Sequence, residues 1–319
     1  MSKKTDYRFT ASNMKIFRSF EEAKIITNAV VTTGSFDGVH IGHKTILNRL
    51  KKLAEKENGE SVLITFDPHP RKVLYPDSIG KGLKLINSQE EKLELLRKAG
   101  LDNVIIITFT KEFSEITSEQ FVRDFLHGIL RARIIVAGFN HHFGFNKEGD
   151  YKKLWAWREK YSFEAEEIPE QEVYHETVSS TKIRQAISDG YIQRANAYLD
   201  HYYIIMGKTE QFKFEGFAGT LPLSKIPITE ECKLLPPPGI YAVSVKSDFN
   251  SSKGMVIIHQ KPGTASEVLL NIFDNQGFTL NRNITIFFHK KIHGSVDLSE
   301  SKTILKLNSG KEEISELIY

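Results

Sequence analysis

Along the first 200 residues two hydrophobic rhythms alternate. Short runs that are β-branched or wholly apolar fall at 29–34 (AVVTTG), 61–66 (SVLITF), 104–109 (VIIITF) and 132–138 (ARIIVAG). Their length and their want of polar alternation predict strands covered on both faces. Between the first two, apolar residues recur at Ile46, Leu50, Leu53 and Ala54, the spacing of a helix with one buried stripe. Ser88 and Glu91 form a capping-box pair that predicts a helix ending at Gly100, and a further helix is expected over Thr117–Leu130. Strands separated by helices in this order predict a parallel sheet with helices on both sides. Ligands of such sheets bind at the carboxyl ends of strands, so chemistry is expected just after residues 33, 66 and 138.

Beyond about residue 200 the helical period gives way. Runs at 240–245 (IYAVSV), 254–259 (GMVIIH), 267–274 (EVLLNIFD) and 283–292 (NITIFFHKKI) read as strands, with Asn275-Gln276-Gly277 as a hairpin turn. Pro236-Pro237-Pro238-Gly239 is a stiff loop leading into a strand. One closing helix is expected from Ser309, capped with Glu312, to the C-terminus. The expectation is therefore two domains: an α/β domain over 1–200 and a small antiparallel β-barrel over 201–319.

Composition changes this picture little. Hydrophobic residues at 40% and charged residues at 26% suit a soluble globular chain. The balance of 43 basic against 40 acidic residues, net +3, gives no reason to expect a nucleic-acid partner. One cysteine, Cys232, leaves no intrachain disulfide and no four-cysteine metal site, which fits a reducing compartment, the cytoplasm. The N-terminal MSKKTDYRFT does not read as a signal peptide. No apolar run nears the roughly 18 residues of a membrane span, so no membrane partner is expected.

The strongest chemical signal is Gly34-Ser35-Phe36-Asp37-Gly38-Val39-His40-Ile41-Gly42-His43, between the first strand and its helix. A helix start offers backbone N–H groups and the positive end of the dipole to an anion. Gly34 and Gly38 are expected to permit tight turning, and Gly42 to let a phosphate approach the backbone. His40 and His43, three apart in the first turn, can both donate to phosphate oxygens. Nucleotidyl transfer needs positioning and charge stabilisation rather than a covalent nucleophile, and this segment supplies both. The alternative is a glycine-rich turn with two surface histidines.

Further on, Phe66, Pro68, Pro70, Phe143 and Phe145 offer apolar walls after the second and fourth strands, unless these rings are ordinary core. His69, His141, His142 and His175 raise a metal site, but neighbouring histidines in one loop seldom share a metal and no cysteine or HExxH pattern supports zinc. Ser179-Ser180-Thr181 precedes an amphipathic run through Ile183, Ala186 and Ile187, a second helix start with anion-binding capacity. Arg184 sits one turn in and can grip a phosphate bidentately. An N-cap beside a solvated arginine is the plainer reading.

The first of these segments resembles the H-x-G-H motif of nucleotidyltransferases, and G-x-F-D-G-V-H-x-G-H resembles the bacterial riboflavin kinase/FAD synthetase family in particular. Thr65-Phe66-Asp67-Pro68-His69-Pro70, Gly138-Phe139-Asn140-His141-His142-Phe143-Gly144 and Ser179-Ser180-Thr181-Lys182-Ile183-Arg184 fit the same family in order. The resemblance implies a Rossmann-like nucleotidyltransferase domain that transfers AMP from ATP to FMN with Mg²⁺, giving FAD and pyrophosphate. It implies that His40, His43 and Arg184 are catalytic. It assigns Gly34, Phe36, Asp37, Gly42, Ser179, Ser180 and Thr181 to ATP, and Phe66, Pro68, His69, Pro70 and Phe143 to the flavin. Asn140 would lie by the phosphates and Mg²⁺. The implied partners are small-molecule nucleotides and flavin.

The same resemblance makes 201–319 a riboflavin-kinase-like barrel, but with departures. Where the family carries G-F-P-T-A-N, this chain has Thr220-Leu221-Pro222-Leu223-Ser224-Lys225, so Leu223 replaces the threonine and Lys225 the asparagine that hold magnesium-nucleotide. The carboxylate that activates the riboflavin hydroxyl aligns with Leu269; Glu267, two residues earlier, could replace it only through a bulge. Weak or absent kinase activity is expected. The alternatives are a fully bifunctional enzyme, a flavin or nucleotide sensor without turnover, and another adenylyltransferase.

Overall fold

The computed structural model describes residues 14–139, 141–170, 172–173, 176–212, 221–248, 250–260, 263–298 and 300–318. The chain forms two compact units. One takes the chain up to Leu83 together with Leu93–Gln171; the other takes Lys84–Lys92 and the chain from Glu172 onward. The packing division after Gln171 thus falls ahead of the compositional change near residue 200.

The first unit is built on β1 (Lys15–Phe17), β2 (Val30–Thr33), α1 (Ile41–Lys56), β3 (Ser61–Asp67), α2 (Pro70–Leu74), the end of α3 (Gln89–Lys98) and β4 (Asn103–Thr108). It continues through α4 (Lys111–Ser114), α5 (Ser118–Gln120), β5 (Ile134–Gly138), α6 (Tyr151–Trp157) and β6 (Glu164–Ile168). The six strands are parallel in the order β1-β4-β3-β2-β5-β6. Successive strand residues point to opposite faces, so one layer takes Val30, Leu63, Val104 and Ile134 while the other takes Val31, Ile64, Ile105 and Ile135. That is why these strands read as unbroken apolar runs. α1 closes the first layer with Leu47, Leu50, Leu53 and Ala54.

The helix expected over Thr117–Leu130 forms, with an unexpected hydrogen-bond pattern, and two edge strands went unread. The segment after α5 is π-helical over Phe121–Ile129, with Leu130 N–H reaching back to Phe125 O at 2.9 Å. Its wider turn sets Phe121 and Phe125 on one side, against the aromatic part of the core. The edge strands β1 and β6 lacked a readable pattern: β1 is only three residues, and β6 (EAEEI) buries just Ala165 and Ile168.

The second unit begins with a ribbon, β7 (Glu172–Val173) and β8 (Glu176–Thr177), and two helices, α7 (Ser180–Ser188) and α8 (Ile192–Leu199). Then follow β9 (Tyr203–Lys208), β10 (Glu210–Gln211), β11 (Ser224–Ile226), β12 (Gly239–Lys246), β13 (Ser251–His259), β14 (Glu267–Ile272), β15 (Asn283–His293) and α9 (Ser301–Leu317). The sheet is antiparallel with order β10-β11-β14-β13-β12-β15-β9. Its end strands are separated in the chain by Thr209 alone, so the sheet curls back on itself as a half-barrel. Two register shifts between β12 and β15 assist the curl. One face packs on α7 and α8, the other on α9.

The turn at 275–277 forms, with Phe278 N–H donating to Asn275 O at 3.0 Å, but it is not a hairpin. β14 pairs with β13 and β11, and β15 with β12 and β9. The closing helix starts at Ser301 rather than Ser309, because Thr303 and Leu307 extend the buried stripe that Ile314 continues.

Lys84–Lys92 joins this unit through a buried ion pair. Lys233 Nζ lies 2.5 Å from Glu91 Oε2, with both side chains 2% exposed. The ammonium also donates to Ile86 O (2.7 Å) and Ile204 O (2.9 Å), and Glu91 Oε1 accepts the Met206 N–H at 3.0 Å. Ser88 N–H and Glu91 complete the expected capping box, at 2.9 and 3.2 Å. Such complete hydrogen bonding offsets the cost of taking both charges out of water.

Candidate active site

In the first unit, β3, β2 and β5 are neighbours, and the chain reverses its direction of travel across the sheet at β2. A crevice at the carboxyl ends of strands opens at such a point. The three loops singled out above leave these adjacent strands after Thr33, Asp67 and Gly138. Hydroxyls brace the edge: Thr32 Oγ1 donates to Val136 O at 2.8 Å, and Thr65 Oγ1 to Ser35 O at 3.2 Å. Thr65 opens the second motif read from the sequence, whereas Thr32 was not singled out, since a strand threonine carries no signal of its own.

The loop from Gly34 to His40 is held in unusual backbone. Phe36, Gly38 and Val39 have φ of 49°, 90° and 41°. For a β-branched residue such as Val39 this is a strained conformation, of the sort that clusters at functional sites. Gly34 is not among the left-handed residues; a Cβ there would come within 3.1 Å of the Phe36 ring, so its role is to let that ring pack. Of the two glycines expected to turn the chain, Gly38 does.

Three rings result in a stack. Phe36 lies 4.4 Å from His43 at 22°, and His43 lies 3.6 Å from His40 at 19°. Phe36 and His40 are buried, His43 and Gly42 are part-exposed, and Asp37 is buried in the turn. His40 is the N-cap of α1 and makes no side-chain cap bond there; its carbonyl accepts the Lys44 N–H. His43 is thereby locked between two rings at a helix N-terminus, a fixed donor beside a positive dipole end.

The flavin-wall candidates are divided. Phe66 packs on Phe109 (5.4 Å) and Phe113 (5.9 Å), and Phe143 on Phe121 (6.1 Å) and His141 (5.8 Å), so both are part-exposed members of the aromatic core. Pro68 is exposed, and Pro70 opens α2. His69 caps that helix, its Nδ1 accepting the Arg71 N–H at 3.2 Å. Phe145 is 42% exposed. Burial and the neighbouring His142 push the His141 imidazole down to about 4, and its enclosed Nε2 has no hydrogen-bond partner among the described residues. Asn140 and His175 lie outside the described residues.

Ser179 to Arg184 belong to the second unit. Ser179 is the N-cap of α7, accepting the Lys182 N–H at 3.3 Å. Ser180 and Arg184 are part-exposed and Thr181 exposed, while Ile183, Ala186 and Ile187 bury the helix's other face.

In the half-barrel, Leu223 and Leu269 are buried in the apolar cluster beneath α9, with Ile240, Met255, Ile257 and Leu307. Lys225 pairs in register with Leu269, and its Nζ lies 2.7 Å from Glu267 Oε1. β14 keeps regular register with both neighbours, so no bulge brings Glu267 to the Leu269 position. Thr220 lies outside the described residues. A separate cavity of about 310 Å³ lies between Pro222, Ser224, Asn250, Leu270, Phe278 and Arg282.

The sequence profile of the FAD synthetase family matches residues 22–182, and that of riboflavin kinase matches 199–309. The chain belongs to the bifunctional riboflavin kinase/FMN adenylyltransferase family. A relative so named from Listeria monocytogenes is 31% identical over 267 residues, 84% of this chain and 81% of its own length. One from Escherichia coli K12 is 27% identical over 293 residues, 90% and 91% of the two chains. In fold, the chain is similar to a solved Streptococcus pneumoniae structure described as a macrolide-efflux protein. That likeness has a TM-score of 0.79 at 22% identity, over 96% of this chain and 99% of that one.

Mg²⁺ is the ion that the sequence resemblance implies. Among the described residues no three His, Cys, Asp or Glu side chains cluster so as to hold a metal. Among the same residues no helix is long and apolar enough to cross a membrane.

Proposed function

We propose that residues 1–200 form an FMN adenylyltransferase that transfers AMP from ATP to FMN, and that 201–319 is a riboflavin-kinase-like domain with weak or no kinase activity. The observation that carries the first part is the Phe36–His43–His40 stack at the N-terminus of α1. An FMN phosphate oxygen attacks the α-phosphorus of ATP in line, the bond to the β-phosphate oxygen breaks, and pyrophosphate leaves with that electron pair. His40 and His43 donate to the phosphate oxygens as charge builds on them. Ser179, Ser180, Thr181 and Arg184 hold the triphosphate, and Mg²⁺ accompanies it as counter-ion. Gly42 gives the phosphates backbone access, and Phe66, Pro68, His69, Pro70 and Phe143 border the flavin. The single cysteine and these substrates fit a cytoplasmic enzyme.

The second part is supported by Leu223 and Leu269 in the core and by Lys225 held on Glu267. A leucine offers no oxygen to a metal and no base to a hydroxyl, and general-base catalysis alone is worth about 10²–10⁴-fold. Full bifunctionality is the competing reading, favoured by the riboflavin kinase profile match and by the relatives' names. One assay separates them. The purified chain given FMN, ATP and Mg²⁺ is expected to form FAD and pyrophosphate, and given riboflavin instead to form neither FMN nor FAD. Absence of FAD from FMN sinks the first part; ready conversion of riboflavin sinks the second.

A further inference from the structure

We infer that the second unit carries an additional anion site, apart from Ser179–Arg184, that takes a phosphorylated small molecule between the α7–α8 turn and the end of β15. A cavity of about 560 Å³ lies there, lined among others by Gly190, Tyr191, Arg194, Lys290, Lys291 and His293. That volume is in the range of small-molecule sites and exceeds what a lone carboxylate needs.

Three features give the cavity its sign. The first turn of α8 lines it, which brings the positive end of the helix to the cavity; the N-cap Tyr191 makes no side-chain cap bond, and Ile192 N–H donates to Gly190 O at 2.9 Å. Arg194 is oriented by its Nε donating to Tyr198 Oη at 2.8 Å. Lys291 is part-buried, with its Nζ 5.9 Å from the Tyr241 ring, and among the described residues no carboxylate stands within ion-pair distance of it. An ammonium with no carboxylate beside it is open to the anionic group of a ligand. Its stem is held close to Gly190, where φ is +79° and a Cβ would come within 3.1 Å of Lys291 Cδ.

The opposing charges are few. Lys290 is already neutralised by Glu313 at 3.2 Å. Asp189 lines the cavity and accepts from Gln185 Nε2 at 2.8 Å, which turns part of its charge aside. Lys291 and the helix end stand against it. A compact ammonium beside backbone N–H groups is the combination that binds phosphate as a point charge.

The test uses the full chain with Tyr191→Trp as a reporter, since Tyr191 is 61% exposed and the replacement fits at the rim. The titrant is inorganic pyrophosphate at low ionic strength, with ATP in a second arm to separate an inorganic source from a nucleotide. The response of the unaltered chain, whose tryptophans are Trp155 and Trp157, is subtracted. A saturable emission change is expected. Lys291→Gln in the reporter background should weaken it about tenfold or more, the scale of one charge-assisted hydrogen bond. Lys291→Arg should keep it, and Lys290→Gln should alter it little. No saturable change, or one that survives Lys291→Gln undiminished, overturns the site.

Discussion

His43 has Phe36 on one face and His40 on the other, so its ring is held in place for the role proposed for it. Such a preorganised donor acts on the transition state more than on bound substrate. His43→Ala is therefore expected to cut the rate of FAD formation by about 10²–10³-fold, with a much smaller change in KM for ATP. Steady-state kinetics on FMN and ATP check both. His141 gives a second residue-scale prediction, on stability. Its imidazole is held down to about 4 by burial, so the unfolded chain takes up this proton before the folded one does. Its contribution is complete above the ordinary imidazole value and is lost as pH falls from there through about 4. His141→Phe is expected to lose less stability than the parent between about pH 7 and about pH 5, as read by urea denaturation. Equal losses would mean that the ring takes its proton without cost.

At the scale of elements, most strands and helices of the first unit were readable because a parallel strand buried on both faces cannot hide its composition. β2, β3, β4 and β5 were all expected within a residue or two. β1 and β6 were missed because they bury too little side chain to set a pattern. The helix expected over Thr117–Leu130 forms, but its π-helical part could not be read, since it differs from an α-helix only in its hydrogen bonds. Serine and glutamate at 309 and 312 also looked like a helix start, yet the buried stripe begins earlier and carries the helix through them. The tie between Lys84–Lys92 and β9 was invisible, since nothing marks Lys233 among the chain's other lysines until Glu91 closes on it. Lys233→Met leaves Glu91 charged and buried, and is expected to cost about 3–5 kcal/mol in chemical denaturation. Lys233→Met with Glu91→Leu should recover most of that, because no charge is then stranded. An equal cost for single and double variants would show that packing, not charge, sets the penalty.

For the whole molecule, β11 and β14 decide how the second unit is to be understood. Leu269→Glu puts a carboxylate back at the aligned position, but in this chain the side chain enters the cluster of Leu223, Ile257 and Leu307. Desolvation then costs more than any catalytic gain returns. The variant is expected to lose several kcal/mol of stability and to gain no kinase activity, as measured by denaturation and by FMN production from riboflavin. A stable, active variant would show that the kinase site needs only its base. Sequence alone determined the two architectures, the loops that follow β2, β3 and β5, and the helix start at Ser179, since each rests on local spacing, turn chemistry or a run of apolar residues. It also marked Leu223, Lys225 and Leu269 as departures from the family. Only tertiary structure decided that His40, His43 and Phe36 stack, that Phe36 and Val39 rather than Gly34 carry the left-handed backbone, and that Lys225 closes on Glu267 while Leu223 and Leu269 join the core. Those facts depend on contacts between residues far apart in the chain or on the packing of one turn, and neither leaves a periodic trace in the order of amino acids.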